Sequence, residues 1–446
     1  MAADIDDPRV AFVDASFWHG SKARADAILA THPTIAGSDI YMAATLGDAD
    51  AVRRFIAQDP AHATATGGPR NVDALTYLCF STYLRDNRER SADFVRAATA
   101  LLDAGADVNT GFFDPTHRPE PEWESAIYGA AGVAHHPELT RLLIERGANP
   151  NDEETPYHAP ETWDNAALRV LVESGQLNAQ SLETMLLRKA DWHDTQGIKY
   201  LLEHGADPNR MSRWSNTAMH QALRRDNALE NIEAFLDAGA DPSLKSRSDN
   251  RSSISIAARR GRKDVLDTFE RRGHAMVLEG VERLIAACAR NDAATIADLA
   301  AAESNLIGEL LAEGPTVLAE FAGTWNVDGV RQLLDLGVPI DALYDGDPYF
   351  GIPRNSTALH VAAWKAAPKV VSLLIERGAE VNVVDGHGRT PLALAVRACV
   401  DSYWTHRRSP ETTAALLRAG ARVDGIKFPS GYREVDELLE PRIKTG

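Results

Sequence analysis

Between Asn355 and Ala395 the chain writes one short pattern and then starts it again. An apolar stretch at 358–364 is followed by a break at 366–368, a second apolar stretch at 370–377, and the run Gly378-Ala379-Glu380-Val381-Asn382. A polar turn, Asp385-Gly386-His387-Gly388, leads into Thr390-Pro391-Leu392-Ala393, 33 residues after Thr357-Ala358-Leu359-His360. A period of this length constrains the fold more than composition does. Each unit is a pair of short helices that cannot bury its apolar face alone, so copies have to stack on one another. The glycine has its own reason, because it ends the second helix in the left-handed conformation that a Cβ resists.

With its T-P-L-H-like starts and Gly-Ala-x-x-Asn ends, this stretch resembles the ankyrin repeat. The same landmark recurs at Gly105, Gly147, Gly175, Gly205, Gly239, Gly273, Gly337 and Gly420, at spacings of 28 to 42 residues with one gap of 64. That gap is close to two periods, and 291–299 reads as the missing, degenerate repeat. Residues 41–56 supply an earlier unit, 11–29 an atypical helix pair, and 431–440 a last polar helix. The resemblance implies an all-α, curved ankyrin-repeat solenoid of about ten to twelve helix-turn-helix repeats with hairpin fingers. Atypical N-terminal capping helices are expected at 1–37, the repeat array at 38–424, and a C-terminal cap at 425–446. The array is degenerate around 163–178 and 280–314. No low-complexity linker divides it, although the repeat signal weakens into a soft joint at 245–253.

Departures from the period are where function is expected. Residues 110–124 (TGFFDPTHRPEPEWE) and 342–354 (ALYDGDPYFGIPR) lengthen two fingers with Pro, Gly and aromatic residues, as ordered functional loops do. Residues 84–92 and 401–410 lengthen connections between helices. In repeat arrays such insertions fall on one face, often the one that binds.

Composition bounds the partners. With 47 basic against 64 acidic residues the net charge is −17, which argues against nucleic acid held by bulk electrostatics. The start has neither a basic nor an apolar segment of a secretory signal, and no apolar run is long enough for a membrane span. Cys79, Cys288 and Cys399 are sparse, odd in number and in apolar helical contexts, which implies reduced thiols in the cytoplasm.

No phosphate-cradling loop, dinucleotide fingerprint, H-E-x-x-H, C-x-x-C or nucleophile elbow occurs, so no catalytic residue, metal ligand or cofactor is assigned. His220 and His360 follow Thr-Ala-Met and Thr-Ala-Leu, and the resemblance implies that such histidines tie backbone between neighbouring repeats. His135 and His136 fall at the inter-helix turn of the family pattern. Asp152, Glu153, Glu154, Tyr157, His158 and Glu161, with Asp191, His193 and Asp194, form a carboxylate and imidazole group that would need convergence to do chemistry. Arg247 to Lys263 is a basic island, read as a solvated edge or, more sharply, as a docking spot for an acidic partner or a phosphate.

The eight tryptophans are unusual for helices packed this closely. Two readings stand side by side. In one, Trp18, Phe112, Phe113, Trp123, Tyr157, His158, Trp163, Trp192, His193, Trp214, Tyr349, Phe350, Trp364 and Trp404 line an aromatic concave face that binds a ligand. In the other, the rings fill spaces left by irregular repeats and clamp the long loops. The expected function is a non-enzymatic binding module that recognises a protein or peptide through this face and the extended fingers. The alternative is a small-molecule-binding protein or unusual enzyme, with an aromatic, His and Asp pocket formed by repeats 3–6. A purely structural or chaperone-like role comes third.

Overall fold

In a computed structural model, residues 7–303, 305–402 and 405–444 are described. They build short helix pairs in sequence, from Pro8–Ser16 with Lys22–Thr31 to a closing helix at Arg433–Ile443. Two compact units result, one of residues 1–221 with 233–240 and one of residues 222–232 with 241–446.

Local chemistry accounts for the helix ends. All nine landmark glycines, from Gly105 to Gly420, have positive φ. Helix starts carry short polar caps: Asp48 accepts from the Ala51 amide, Asp73 from Thr76, Asn178 from Ser181 and Thr390 from Ala393. In three landmarks the closing asparagine joins neighbouring repeats with both ends of its amide. Asn109 Nδ2 donates to the Gly147 carbonyl (3.3 Å) and its Oδ1 accepts from the Asn149 amide (2.8 Å). Asn151 repeats this with Gln176 and Asn178, and Asn382 with Gly420 and Arg422.

The best-patterned stretch folds as its sequence predicts, with helices at Ala358–Trp364 and Pro368–Glu376. The second begins two residues earlier than expected, because Pro368 suits a first helical turn. His360 is fully buried. Its Nδ1 is 3.1 Å from the Thr357 amide and 2.9 Å from the Thr357 hydroxyl, and Nε2 is 3.1 Å from the Arg389 carbonyl of the next repeat. His220 meets Thr217 in the same way. His136 caps the Pro137–Glu145 helix through Nδ1 and contacts Ser91 through Nε2.

The irregular stretches also resolve into helix pairs. Residues 280–314 hold helices at Val281–Arg290 and Ala293–Ala302, then the start of a long helix at Asn305–Gly323. Around 163–178 the repeat is short because its first helix, Glu154–His158, has only five residues. Where two repeats place glycine between their two helices, at Gly47 and Gly261, others have Trp18, His135, His193, Asp226, Trp325 and Ala366 at positive φ instead. Such side chains sit there at a cost of order 1 kcal/mol each, sustained by the packing around them. The three cysteines are free and buried. Burial pushes the Cys288 thiol up to about 12 and raises those of Cys79 and Cys399.

Candidate functional site

In the first unit the site begins with a two-stranded hairpin. β1 (Gly111–Asp114) pairs antiparallel with β2 (Glu122–Ser125), setting Phe112 opposite Glu124, Phe113 opposite Trp123 and Asp114 opposite Glu122. A Cβ on Gly111 would lie 2.2 Å from the Glu124 carbonyl oxygen, so glycine is what lets the strands close. Side chains alternate across a ladder. Phe112, Asp114, Glu122 and Glu124 therefore share one face, and Phe113 and Trp123 share the other.

The inward face is anchored by Phe112, whose ring centroid lies 5.5 Å from Phe17, 5.4 Å from Trp18 and 5.0 Å from Phe80. On the outward face Phe113 and Trp123 meet at 4.8 Å, and Phe113 is 62% exposed. From Phe80 the rings continue through Tyr128 (5.7 Å), His158 (5.2 Å), Tyr157 (4.8 Å) and Trp214 (5.6 Å). Guanidinium groups cover the end of this row: Arg188 lies 4.1 Å over Tyr157 and Arg213 lies 4.5 Å over Trp214.

Carboxylates surround the rings. His158 Nδ1 is 2.7 Å from Glu161 and Nε2 is 3.1 Å from Glu154. Burial alone would lower its pKa, but these hydrogen bonds and charges outweigh burial and raise it to about 9. Its ring is thus a protonated bridge with both nitrogens engaged, which leaves no free imidazole for base or ligand work. Arg188 pairs with both Glu161 and Asp191. Glu124 differs. It is 4% exposed, its Oε2 has no hydrogen-bond partner, and burial, followed by repulsion from Glu154, Glu122 and Asp114, pushes its pKa up to about 8.

In the second unit the long finger at 342–354 closes on itself. The Tyr344 amide donates to the Ser356 carbonyl (2.7 Å), and Asp347 and Ile352 exchange backbone hydrogen bonds. Trp364 Nε1 donates to the Phe350 carbonyl (2.7 Å), and the Lys365 ammonium lies 3.4 Å over the Phe350 ring. Arg225 lies 3.7 Å over Tyr349. Beneath is a buried ion network. Arg260 donates to Asp226 (2.6 Å) and pairs with Glu320 (2.8 Å), Lys365 pairs with Asp226, and the Tyr344 hydroxyl donates to Glu320 (3.1 Å). Burial would raise the Asp226 pKa, but Arg260 and Lys365 overcome it and hold the carboxyl well below the usual range. A cavity of about 240 Å³ lies against Arg224, Arg225, Arg259 and Asp347, and one of about 370 Å³ against Arg262, Trp325 and Arg407.

The comparisons with known proteins bear on this architecture. A family model described as ankyrin repeats (3 copies) matches residues 284–385, and a second, ankyrin repeats (many copies), matches residues 186–228. The chain carries ankyrin repeats. A curated relative, serine/threonine-protein kinase 12 of Arabidopsis thaliana, is 40% identical over 85 residues, 19% of this chain and 17% of that protein's length. The crystal structure of the human ASB11 ankyrin repeat domain matches with 20% identity and a TM-score of 0.26, covering 59% of this chain and 96% of that one.

On this ankyrin-repeat frame the fourteen residues singled out in the sequence fall into separate groups. Trp18 and Phe112 meet, as do Phe113 and Trp123, and Tyr157, His158 and Trp214 form one row. Trp163 donates to the Trp192 carbonyl (3.1 Å) and meets its ring edge-on, while His193 occupies the adjoining left-handed turn. Tyr349 and Phe350 belong to the closed finger of the second unit, and Trp364, at the end of the Ala358–Trp364 helix, clamps it. Trp404 lies outside the described residues.

The basic island is corrected. Arg259, Arg260 and Arg262 are largely buried and paired with acids, so within 259–263 Lys263 alone has the exposure of a solvated edge, whereas Arg247 earlier in the run is exposed. The partners of Arg259 and Arg260, namely Glu313, Asp226 and Glu320, are distant in sequence, which is why those two looked unopposed, whereas Arg262 pairs with the nearby Asp264. Asp194 caps the Thr195–Glu203 helix and pairs with Lys189 (2.8 Å), and Asp152 accepts from Ser125 and Thr155, so both serve structure. Among the described residues no group of His, Cys, Asp and Glu could hold a metal ion, and no helix is long and apolar enough to cross a membrane. Sequence reasoning missed Glu124 and Trp325. Glu-Trp-Glu at 122–124 carried the alternation of a strand, and Trp325 stands where Gly47 stands in an earlier repeat.

Proposed function

We propose that this ankyrin-repeat protein is a non-enzymatic binding module that receives a protein or peptide partner on the aromatic side chains of its first unit. Ankyrin repeats generally serve as protein-interaction modules. The observation that carries the finer reading is exposure on a rigid base. Phe113, Trp123, Trp163 and Trp214 all present large apolar surface to solvent, with Trp163 69% exposed. Each is fixed by a ring or backbone contact that pre-organises it, and Trp, Tyr and Arg are the side chains on which binding energy concentrates. The −17 charge favours a partner other than nucleic acid, and the free thiols favour a reducing compartment, the cytoplasm.

The test is photo-crosslinking in the source cell with a reactive residue at position 113 and, as a control, at Glu437 on the closing helix. A partner captured at 113 alone, and lost from the Trp123→Ala and Trp214→Ala variants, upholds the reading. Equal capture at both positions sinks it.

A further inference from the structure

The inward face of the hairpin gathers more carboxyl groups than its neighbours answer. Asp114, Glu122 and Glu124 share that face, and Glu154 approaches from the helix below, within hydrogen-bonding reach of Glu122. Against these four stand His117, paired with Glu122 at 2.8 Å, and His158, already divided between Glu154 and Glu161. Arg213 is engaged by Glu153 at 2.6 Å. Glu124 is the clearest sign of a missing partner. Glu124 is only 4% exposed with its Oε2 unbonded, which is costly to leave alone, and natural proteins almost always pair such a group. It shares its face with Phe112, which packs against Trp18 and Phe80, so the carboxyl turns toward Trp18, Tyr128 and His158 rather than toward solvent. The carboxyls are too dispersed for a metal ion. Carboxylates combined with ring faces suit a larger, softer cation.

We propose that the acidic inner face of the hairpin, centred on Glu124 with Glu122 and Glu154, binds an organic cation, the guanidinium or ammonium group of an arginine or lysine side chain. This rests on the protein-binding reading above and gives the partner a chemistry: a basic residue entering beside Trp18 while the outward rings take apolar neighbours. Without the cation, Glu124 holds a proton. Binding displaces that proton, so affinity rises with pH through the range in which Glu124 ionises. The other charged and titratable groups facing it are Asp114, Glu122, Glu154, His158, His19, Tyr128 and Arg213.

The full chain, labelled with 5-fluorotryptophan, is titrated at constant ionic strength with acetyl-Gly-Arg-Gly-amide, its neutral citrulline analogue, and agmatine. The fluorine resonance of Trp18, assigned with Trp18→Phe, reports the site. The arginine peptide is expected to shift it and the citrulline peptide to leave it unmoved. Glu124→Gln should weaken binding roughly tenfold or more, as loss of a charged hydrogen bond does, and Glu437→Gln should change nothing. Tighter binding of the peptide than of agmatine assigns a partner side chain, and equal affinity a free amine. Both outcomes uphold the site. Equal response to citrulline, no response at Trp18, or wild-type affinity in a Glu124→Gln protein of unchanged melting temperature overturns it. Crosslinking at position 113 stays informative on its own: a captured partner indifferent to Glu124→Gln leaves the binding reading standing and removes the cation site. Cation binding with no partner captured does the reverse.

Discussion

The two long fingers began as the same kind of insertion, and the chain uses them in opposite ways. The finger at 342–354 turns its aromatic residues inward, and cations cover them: Lys365 over Phe350 and Arg225 over Tyr349. Its acids and bases balance in one buried network. The hairpin of β1 and β2 has a single inward ring, Phe112, shows two rings to solvent, and leaves Glu124 without a partner. One finger is finished by its own unit, whereas the other has contacts still to make. A pattern of Pro, Gly and aromatic residues identifies an ordered loop, and the pairing of its charges decides whether that loop is a clamp or a receptor.

This contrast can be broken most forcefully in the second unit. Lys365→Ala takes from Asp226 one of its ion-pair partners and leaves it with Arg260, and removing one member of a buried ion pair costs about 3–5 kcal/mol. A large loss in urea unfolding is expected, and a loss below 1 kcal/mol would show that the network is not a clamp. Phe112→Ala removes the one apolar anchor of the hairpin and should cost about 3 kcal/mol, the low end for such a truncation because the ring is half-buried. Limited proteolysis between 115 and 121 should accelerate, while cleavage within 342–354 should stay at the wild-type rate.

Solution pH should separate the two regions by sign. Glu124 has a folded pKa raised to about 8, so the folded chain holds a proton that the unfolded chain has released, and stability falls as pH rises from the unfolded carboxyl value toward 8. His158, raised to about 9, contributes stability that is fully present below the unfolded imidazole value and is lost as pH passes 9. Both make the first unit weaker under alkaline conditions, and Glu124→Gln should flatten the earlier part of that decline in a melting series. Asp226, lowered in the fold, contributes stability that is lost as pH falls below the normal carboxyl range. Glu320, raised by burial, works against that trend. The smallest effect on stability belongs to Phe113→Ala, expected to fall within about 0.5 kcal/mol in the same unfolding assay, because the ring is exposed. Loss of partner recovery by that variant in a pull-down would sharpen the contrast to its limit.

What could be read from the residues alone was whatever local chemistry dictates. Gly378 and its eight counterparts marked helix ends because only the left-handed turn makes glycine necessary, and Thr357 with His360 marked a helix start that ties two repeats. Long-range pairing was out of reach. Nothing near Phe112 says that it meets Trp18, and nothing near Arg260 names Asp226 and Glu320. Those partners are set by how repeats stack, and Arg259 and Arg260 looked solvated for that reason. Trp364 shows the same limit in a well-patterned repeat, since its indole clamps a finger rather than opening a groove. The inward turn of Glu124 lay within reach, because strand alternation around Trp123 implies it once the segment is read as a strand.

The three buried thiols offer a way to time each region separately. Cys79 belongs to the first unit, and Cys288 and Cys399 to the second. Burial keeps all three protonated and shielded, so an alkylating reagent reacts only during transient opening. Peptide-resolved mass spectrometry of the labelled chain would therefore read two clocks in one tube. A ligand seated under the hairpin would slow the first clock and leave the second running at its own rate.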